Sequence, residues 1–371
     1  MTHTIKEGSF VENESNVKIK NKSNGGLCMI KYPLLEQGTT IGVTAPSSGV
    51  PRELHELLTS AFERLERKGF NILSGETVWT QDKAKSASAK KRADEFNKMM
   101  LNEDVQLIIP PWGGELLIEI LEYIDFENIQ NKWVLGYSDI SLLLLAITLK
   151  TGIATAHGTN LVDLRGKYSD NTTAMWQSVL SNKKGESLLQ QSSEKYQKEW
   201  HHDKPTPYIF NLTEQTYWKS TSNSRVEIQG RLLGGCVDTI RHLVGTPYGD
   251  IHAFKKNHVE GDSIIWFLEN CELSTTDLRR SLVQMKLAGW FEECSGIMFG
   301  RSSANTPVTN YKVEDVYQEL SEELQIPIIY DIDCGHVPPQ ITFINGAYAK
   351  VDVDVFCKTF LHNIAKKKYT P

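Results

Sequence analysis

"NKWVLGYSDISLLLLAITLK", Asn131 to Lys150, sets a short apolar run ending at Gly136-Tyr137 directly against a long one. The first run has the length of a buried strand and the second that of a buried helix, so a strand turns into a helix around Ser138. A serine at that joint has two readings. It caps the helix, or it is held in the open where its hydroxyl can attack. The window departs from the esterase-type G-x-S-x-G elbow, because Ile140 stands at the second glycine. Asp139, in the first helical turn, suits the helix dipole under either reading.

The same alternation extends upstream. "TTIGVTAPSSGV" reads as a strand entering a Pro/Ser/Gly loop, and "PRELHELLTSAFERLERKGF" as a helix with Leu54, Leu58, Phe62 and Leu65 on one face and Gly69 as its stop. The strand "FNILSG", the helix "SASAKKRADEFNKMM", the strand "VQLII" and the helix "ELLIEILEYI" follow, with "PPWGGE" between the last two. Short connections between alternating strands and helices predict a mostly parallel sheet covered on both faces. From about Asp163 to Val226 the pattern fails, yet the stretch holds Trp200 and Trp218. These rings either pin a long connection to the body of the protein or face a ligand. Beyond it, "EIQGRLLGGCVDTIRHLVG" leads to strands at "SIIWFLE", "SGIMFG" and "IPIIYDID", with helices at "TDLRRSLVQMKLAGWF" and "VEDVYQELSEEL". "ITFINGAYAKVDVDVFCKTFL" alternates as a terminal hairpin does.

The expected fold is therefore α/β in two domains: an N-terminal mostly parallel sheet flanked by helices, and a C-terminal mixed α/β domain with β-rich elements. The boundaries read as a flexible leader over 1–30, a nucleophile domain over 31–162, a connecting segment with an aromatic loop over 163–225, and a C-terminal domain over 226–371. A chain of 371 residues favours two cores over one. Forty basic against 46 acidic side chains give a net charge of -6, which offers no attraction to a nucleic acid polymer or an anionic membrane. No apolar run is long enough to span a bilayer, and the N-terminus lacks a secretion signal. Six scattered cysteines without a CxxC read as reduced thiols of a cytoplasmic protein. His201-His202 form no metal site, since adjacent side chains diverge and no third ligand is evident.

Four stretches carry chemistry. Ser138 needs a base to become a nucleophile, and a neutral histidine is the usual one. Gly113-Gly114, between a strand and a helix, presents backbone N–H groups to a developing oxyanion or makes a tight turn; the lysine of a phosphate-binding loop is absent. Glu269 ends the apolar run "SIIWFL", solvated or recruited. His336 follows another strand, after Gly335 and before two prolines that stiffen its loop.

In order along the chain, "TAPSSG", "PPWGGE", "GYSDIS", "GRLLGGCVDTI", "FLEN" and "DIDCGH" resemble the family of LD-carboxypeptidases and microcin C7 immunity peptidases. The resemblance runs from about Lys31 to the C-terminus. It implies a Ser–His–Glu triad of Ser138, His336 and Glu269 assembled from two domains, with an oxyanion hole at the N–H groups of Gly114 and Asp139. It also implies a cytoplasmic homodimer working without a cofactor. Two substrate classes follow from the two branches: a peptidyl or aminoacyl nucleotide, or the terminal D-alanine of a murein tetrapeptide. Gly113 would line the substrate site, and Trp200 stands where the immunity branch has a tryptophan stacked on a base. Pro111-Trp112 precede the glycines where the murein branch often has arginine, which leans the reading toward the nucleotide-directed branch. A non-catalytic binding protein of the same fold is the third reading.

Overall fold

The structure is a computed structural model that describes residues 29–183, 185–198, 207–222, 224–259, 261–353 and 360–364. The leader up to residue 28, Trp200 and His201-His202 lie outside the described residues. Two sheets organise the chain. The first half supplies β1 (Thr40–Val43), β2 (Asn71–Ser74), β3 (Val105–Ile109), β4 (Trp133–Gly136) and β5 (Thr155–His157). Between them run α1 (His55–Arg67), α2 (Ala89–Leu101) and α3 (Ile140–Thr151), and α4 (Asn171–Leu180) follows. The five strands are parallel in the order β5-β4-β3-β1-β2. The order reverses between β1 and β3, so the loops leaving their carboxyl ends part and open a crevice, the usual place for a ligand in such sheets.

The rest of the chain supplies β6 (Ser187–Gln191), β7 (Lys195–Tyr196), β8 (Glu214–Gln215), β9 (Lys219–Ser220), β10 (Val226–Cys236), β11 (Ile264–Glu269), β12 (Cys294–Gly300), β13 (Ile328–Ile332), β14 (Phe343–Asn345), β15 (Tyr348–Val353) and β16 (Phe360–Ile364), and eight of these strands form the second sheet. Its order is β6-β16-β15-β10-β11-β12-β13-β9, with β10 to β13 parallel and the outer pairs antiparallel. Its helices are α5 (Val237–Ile240), α6 (Ile251–His258), α7 (Thr275–Leu287) and α8 (Val313–Leu324). Among the described residues, β7 and β8 pair only with each other. The two α/β domains expected from the sequence are present.

The helix α3 explains why they stay together. It is buried at every position from Ile140 to Leu149, as a helix apolar on all sides must be. It packs on β4 and β5 of the first sheet and on β10 of the second. Ser88 caps α2 by accepting from the Lys91 N–H, and Gly69, at φ +90°, follows the end of α1.

Four elements differ from the expectation. "ELLIEILEYI" forms a 3-10 helix over Leu117–Tyr123, because its first N–H is taken by the Asp139 carboxylate and the Leu116 carbonyl by Arg92. The terminal hairpin is formed by β15 and β16, while β14 pairs antiparallel with β5 of the first sheet. Gly346, at φ +88°, turns the chain from one sheet into the other. The stretch read as a connection contains α4 and also gives the second sheet both edge strands, β6 and β9. α6 was not foreseen, its apolar face being only Ile251 and Phe254. Trp218 is buried, with its indole N–H donated to the Asp333 carboxylate, so this ring pins the segment to the body of the protein.

Candidate active site

β4 ends at Gly136 and α3 begins at Ile140, leaving Ser138 in the turn at φ +65°. That conformation is rare for a residue with a side chain and marks a constrained position. The hydroxyl does not cap α3, whose N-cap is Asp139. Ser138 Oγ instead lies 2.9 Å from His336 Nε2. His336 Nδ1 lies 2.7 Å from Glu269 Oε2, which also accepts the His336 backbone N–H at 3.1 Å. Glu269 is the last residue of β11, and His336 stands four residues beyond β13. The carboxyl ends of the two sheets therefore supply one hydrogen-bonded chain across the crevice.

Two glycines are required by close approach. A Cβ on Gly113 would stand 2.6 Å from Ser138 Cβ, and one on Gly335 would stand 1.9 Å from Glu269 Oε2. Gly335 also has φ +94°, so any side chain there strains the backbone and displaces the carboxylate. The N–H groups of Gly114 and Asp139 have no acceptor among the described residues. The Asp139 side chain is occupied below the turn, accepting from Ser47 Oγ at 2.5 Å and from the Leu117 N–H at 2.9 Å. Burial pushes its carboxyl up, against the lowering effect of those two bonds.

The electrostatics suit proton transfer. Burial alone would lower the His336 pKa, but the Glu269 charge, together with the neighbouring Cys271, raises it well above the ordinary value. Burial acts to raise the Glu269 carboxyl, and the imidazoles of His336 and His157 outweigh it and hold it well below the usual range. Beside them, Asp163 is pushed up to about 6 by burial. A cavity of about 380 Å³ opens over Ser138 and His336, lined also by Ser48, Gln81, Trp112 and Asn160. Its volume suits a small molecule or the end of a peptide.

Several residues of this arrangement escaped sequence reasoning. Arg92, fully buried in α2, donates to the Pro46 and Leu116 carbonyls and so ties the loop after β1 to the loop after β3. Asn160 accepts the Tyr137 N–H and steadies the turn before Ser138. His157, at the end of β5, stands next to Glu269. None carries a local motif; only the strand order brings them together. Trp200 cannot be set against this geometry, since it lies outside the described residues. Among the described residues no group of three or more His, Cys, Asp or Glu could hold a metal ion, and no helix is long and apolar enough to cross a membrane.

Comparison with known proteins adds the lineage. The curated microcin C7 self-immunity protein MccF of Escherichia coli is 27% identical over 337 residues, covering 87% of this chain and 94% of that protein. A putative carboxypeptidase of Vibrio cholerae is also 27% identical, over 88% of this chain and 96% of its own length. The crystal structure of an MccF-like protein from Bacillus anthracis superposes with a TM-score of 0.76 at 23% identity, covering 91% of this chain and 99% of that one. The LD-carboxypeptidase N-terminal domain matches residues 41–158 and the C-terminal domain residues 229–351, so the chain belongs to the LD-carboxypeptidase family, in which MccF also stands.

Proposed function

We propose that this member of the LD-carboxypeptidase family is a serine hydrolase that cleaves an amide or N-acyl-phosphoramidate bond near the C-terminal end of a small peptide-like substrate. The observation that carries the reading is the unbroken chain from Ser138 Oγ through His336 to Glu269, at 2.9 Å and 2.7 Å. Ser138 attacks the carbonyl while His336 Nε2 takes its proton. The N–H groups of Gly114 and Asp139 receive the charge that develops on the carbonyl oxygen. His336 then protonates the leaving nitrogen, and a water activated by the same imidazole hydrolyses the acyl-enzyme. Glu269 keeps the Nδ1 proton in place and offsets the imidazolium charge.

For the substrate we favour a peptidyl or aminoacyl nucleotide. The support is the similarity to the E. coli immunity protein and the aromatic Trp112 lining the cavity. The murein tetrapeptide is the other reading, supported by the family's own description. A comparison of kcat/KM for an aminoacyl sulfamoyl-adenosine and a murein tetrapeptide separates them, and preference for the tetrapeptide would overturn the nucleotide reading. In the same assay Ser138→Ala and His336→Ala should each lower kcat by about 10⁴–10⁶, with the double variant little worse than either. Additive losses would show that the two residues do not act as a unit.

A further inference from the structure

Glu269 Oε2 serves His336, but Oε1 has no hydrogen-bond partner among the described residues although the side chain is fully buried. Facing it at 3.8 Å is His157 Nε2, equally buried and also without a partner. Two buried polar atoms that each lack a partner and point at one another need an explanation. They come from the last residues of β5 and β11, one from each sheet. An approach of about 0.6 Å would bring them into hydrogen-bond range.

A carboxylate can only accept, so a hydrogen bond to Glu269 needs the proton on His157 Nε2. The other ring nitrogen has a partner that is compatible with this direction. His157 Nδ1 lies 3.9 Å from Cys334 Sγ, and Cys334 is buried in surroundings that keep it a thiol. Nδ1 is then left to accept from the Cys334 S–H. Phe267, edge-on to the His157 ring with centroids 5.3 Å apart, restricts its rotation.

We propose that His157 is a positioning residue, whose Nε2–H holds the free oxygen of Glu269 and so sets how strongly that carboxylate grips the His336 imidazole. This rests on the triad reading above. Hydrolysis needs His336 neutral, so the rate rises with pH through the His336 pKa, which Glu269 holds above the ordinary value. A carboxylate deprived of its second donor holds the proton on His336 more strongly. Loss of the His157 N–H therefore moves the rising limb to higher pH. The titratable groups around the pair are His336, Tyr137, Asp163, Cys236, Cys271 and Cys334.

The test compares His157→Leu, which has no donor, with His157→Gln, whose amide N–H reaches about as far as Nε2. The probe is a serine-reactive fluorophosphonate, whose inactivation rate is followed across pH, with kcat and KM measured on whichever substrate the comparison above identifies. His157→Leu should lower the inactivation rate and kcat about 10–100-fold, by analogy with lost outer-shell partners of metal sites, with KM little changed. The rising limb should move up by about one pH unit. His157→Gln should recover most of the rate and return the limb. A leucine variant with the parent's rate and limb overturns the proposal, as does equal loss in both variants with an unmoved limb. If His157→Leu does not fold, His157→Asn, too short to reach Glu269, takes its place. Labelling that survives Ser138→Ala would instead overturn the triad reading itself, whatever His157 does.

Discussion

Ser138, at φ +65°, occupies a left-handed conformation that costs an L-residue about 1–2 kcal/mol. The turn is held there by its surroundings, with Asn160 on the preceding N–H and the first bond of α3 running from the Ser141 N–H to the Ser138 carbonyl. Ser138→Ala and Ser138→Gly both remove the hydroxyl, but only glycine relieves the backbone. Ser138→Gly should therefore be about 0.5–1 kcal/mol more stable than Ser138→Ala, the gain being reduced by the greater freedom of glycine in the unfolded chain. Urea denaturation of the two inactive variants measures the difference. Equal midpoints would mean that the turn stores no strain.

At the scale of elements, one carboxylate anchors two stretches of the segment that the sequence reads as a connection. Asp333, fully buried, accepts from the Ser193 N–H at 2.9 Å, Ser193 Oγ at 2.5 Å, Trp218 Nε1 at 2.9 Å and Arg301 Nη2 at 2.6 Å. It thus anchors the stretches around Ser193 and Trp218 to the end of β13, three residues before His336. Asp333→Ala should destabilise the fold by about 3–5 kcal/mol, because it leaves the Arg301 charge buried without its partner. Thermal unfolding followed by circular dichroism gives the value, and a loss below 1 kcal/mol would show that water replaces the carboxylate. This anchor was illegible in the sequence. Asp333 stands in "DIDCGH" as one of two aspartates, and nothing local says which of them turns inward.

At the scale of the molecule, the larger of two hydrophobic clusters runs through both sheets, joining Val43, Leu107 and Leu145 to Leu233, Trp266 and Leu282, while the smaller one, with Ile265, Phe267 and Val351, belongs to the second sheet. β14 crosses back to the first sheet, so the first half is incomplete without residues from the second. The intact chain should unfold in a single transition, with circular dichroism and the fluorescence of tryptophans in both halves giving the same midpoint. A fragment covering 29–162 should show no cooperative transition, since it loses β14 and the β10 cover of α3. Two separated transitions in the full chain would contradict this account.

The sequence by itself determined what depends on local pattern. The apolar run after Ser138 could only be a buried helix, the alternation upstream of it a parallel sheet, and the ordered motifs a family. It offered Ser138, Glu269 and His336 as candidates because each stands at or just beyond the end of an apolar run, and the resemblance of the ordered motifs joined them as a triad. Tertiary structure decided what depends on contacts between distant residues. A helix pattern became a 3-10 segment because Asp139 and Arg92 took its end groups. An apparent connection became the edges of a sheet because β6 and β9 find partners more than 100 residues away. Arg92, Asn160, Asp333 and His157 gained their roles for the same reason. A buried polar side chain takes its meaning from the group that satisfies it, and that group is chosen by how the strands are ordered, which no window of sequence contains.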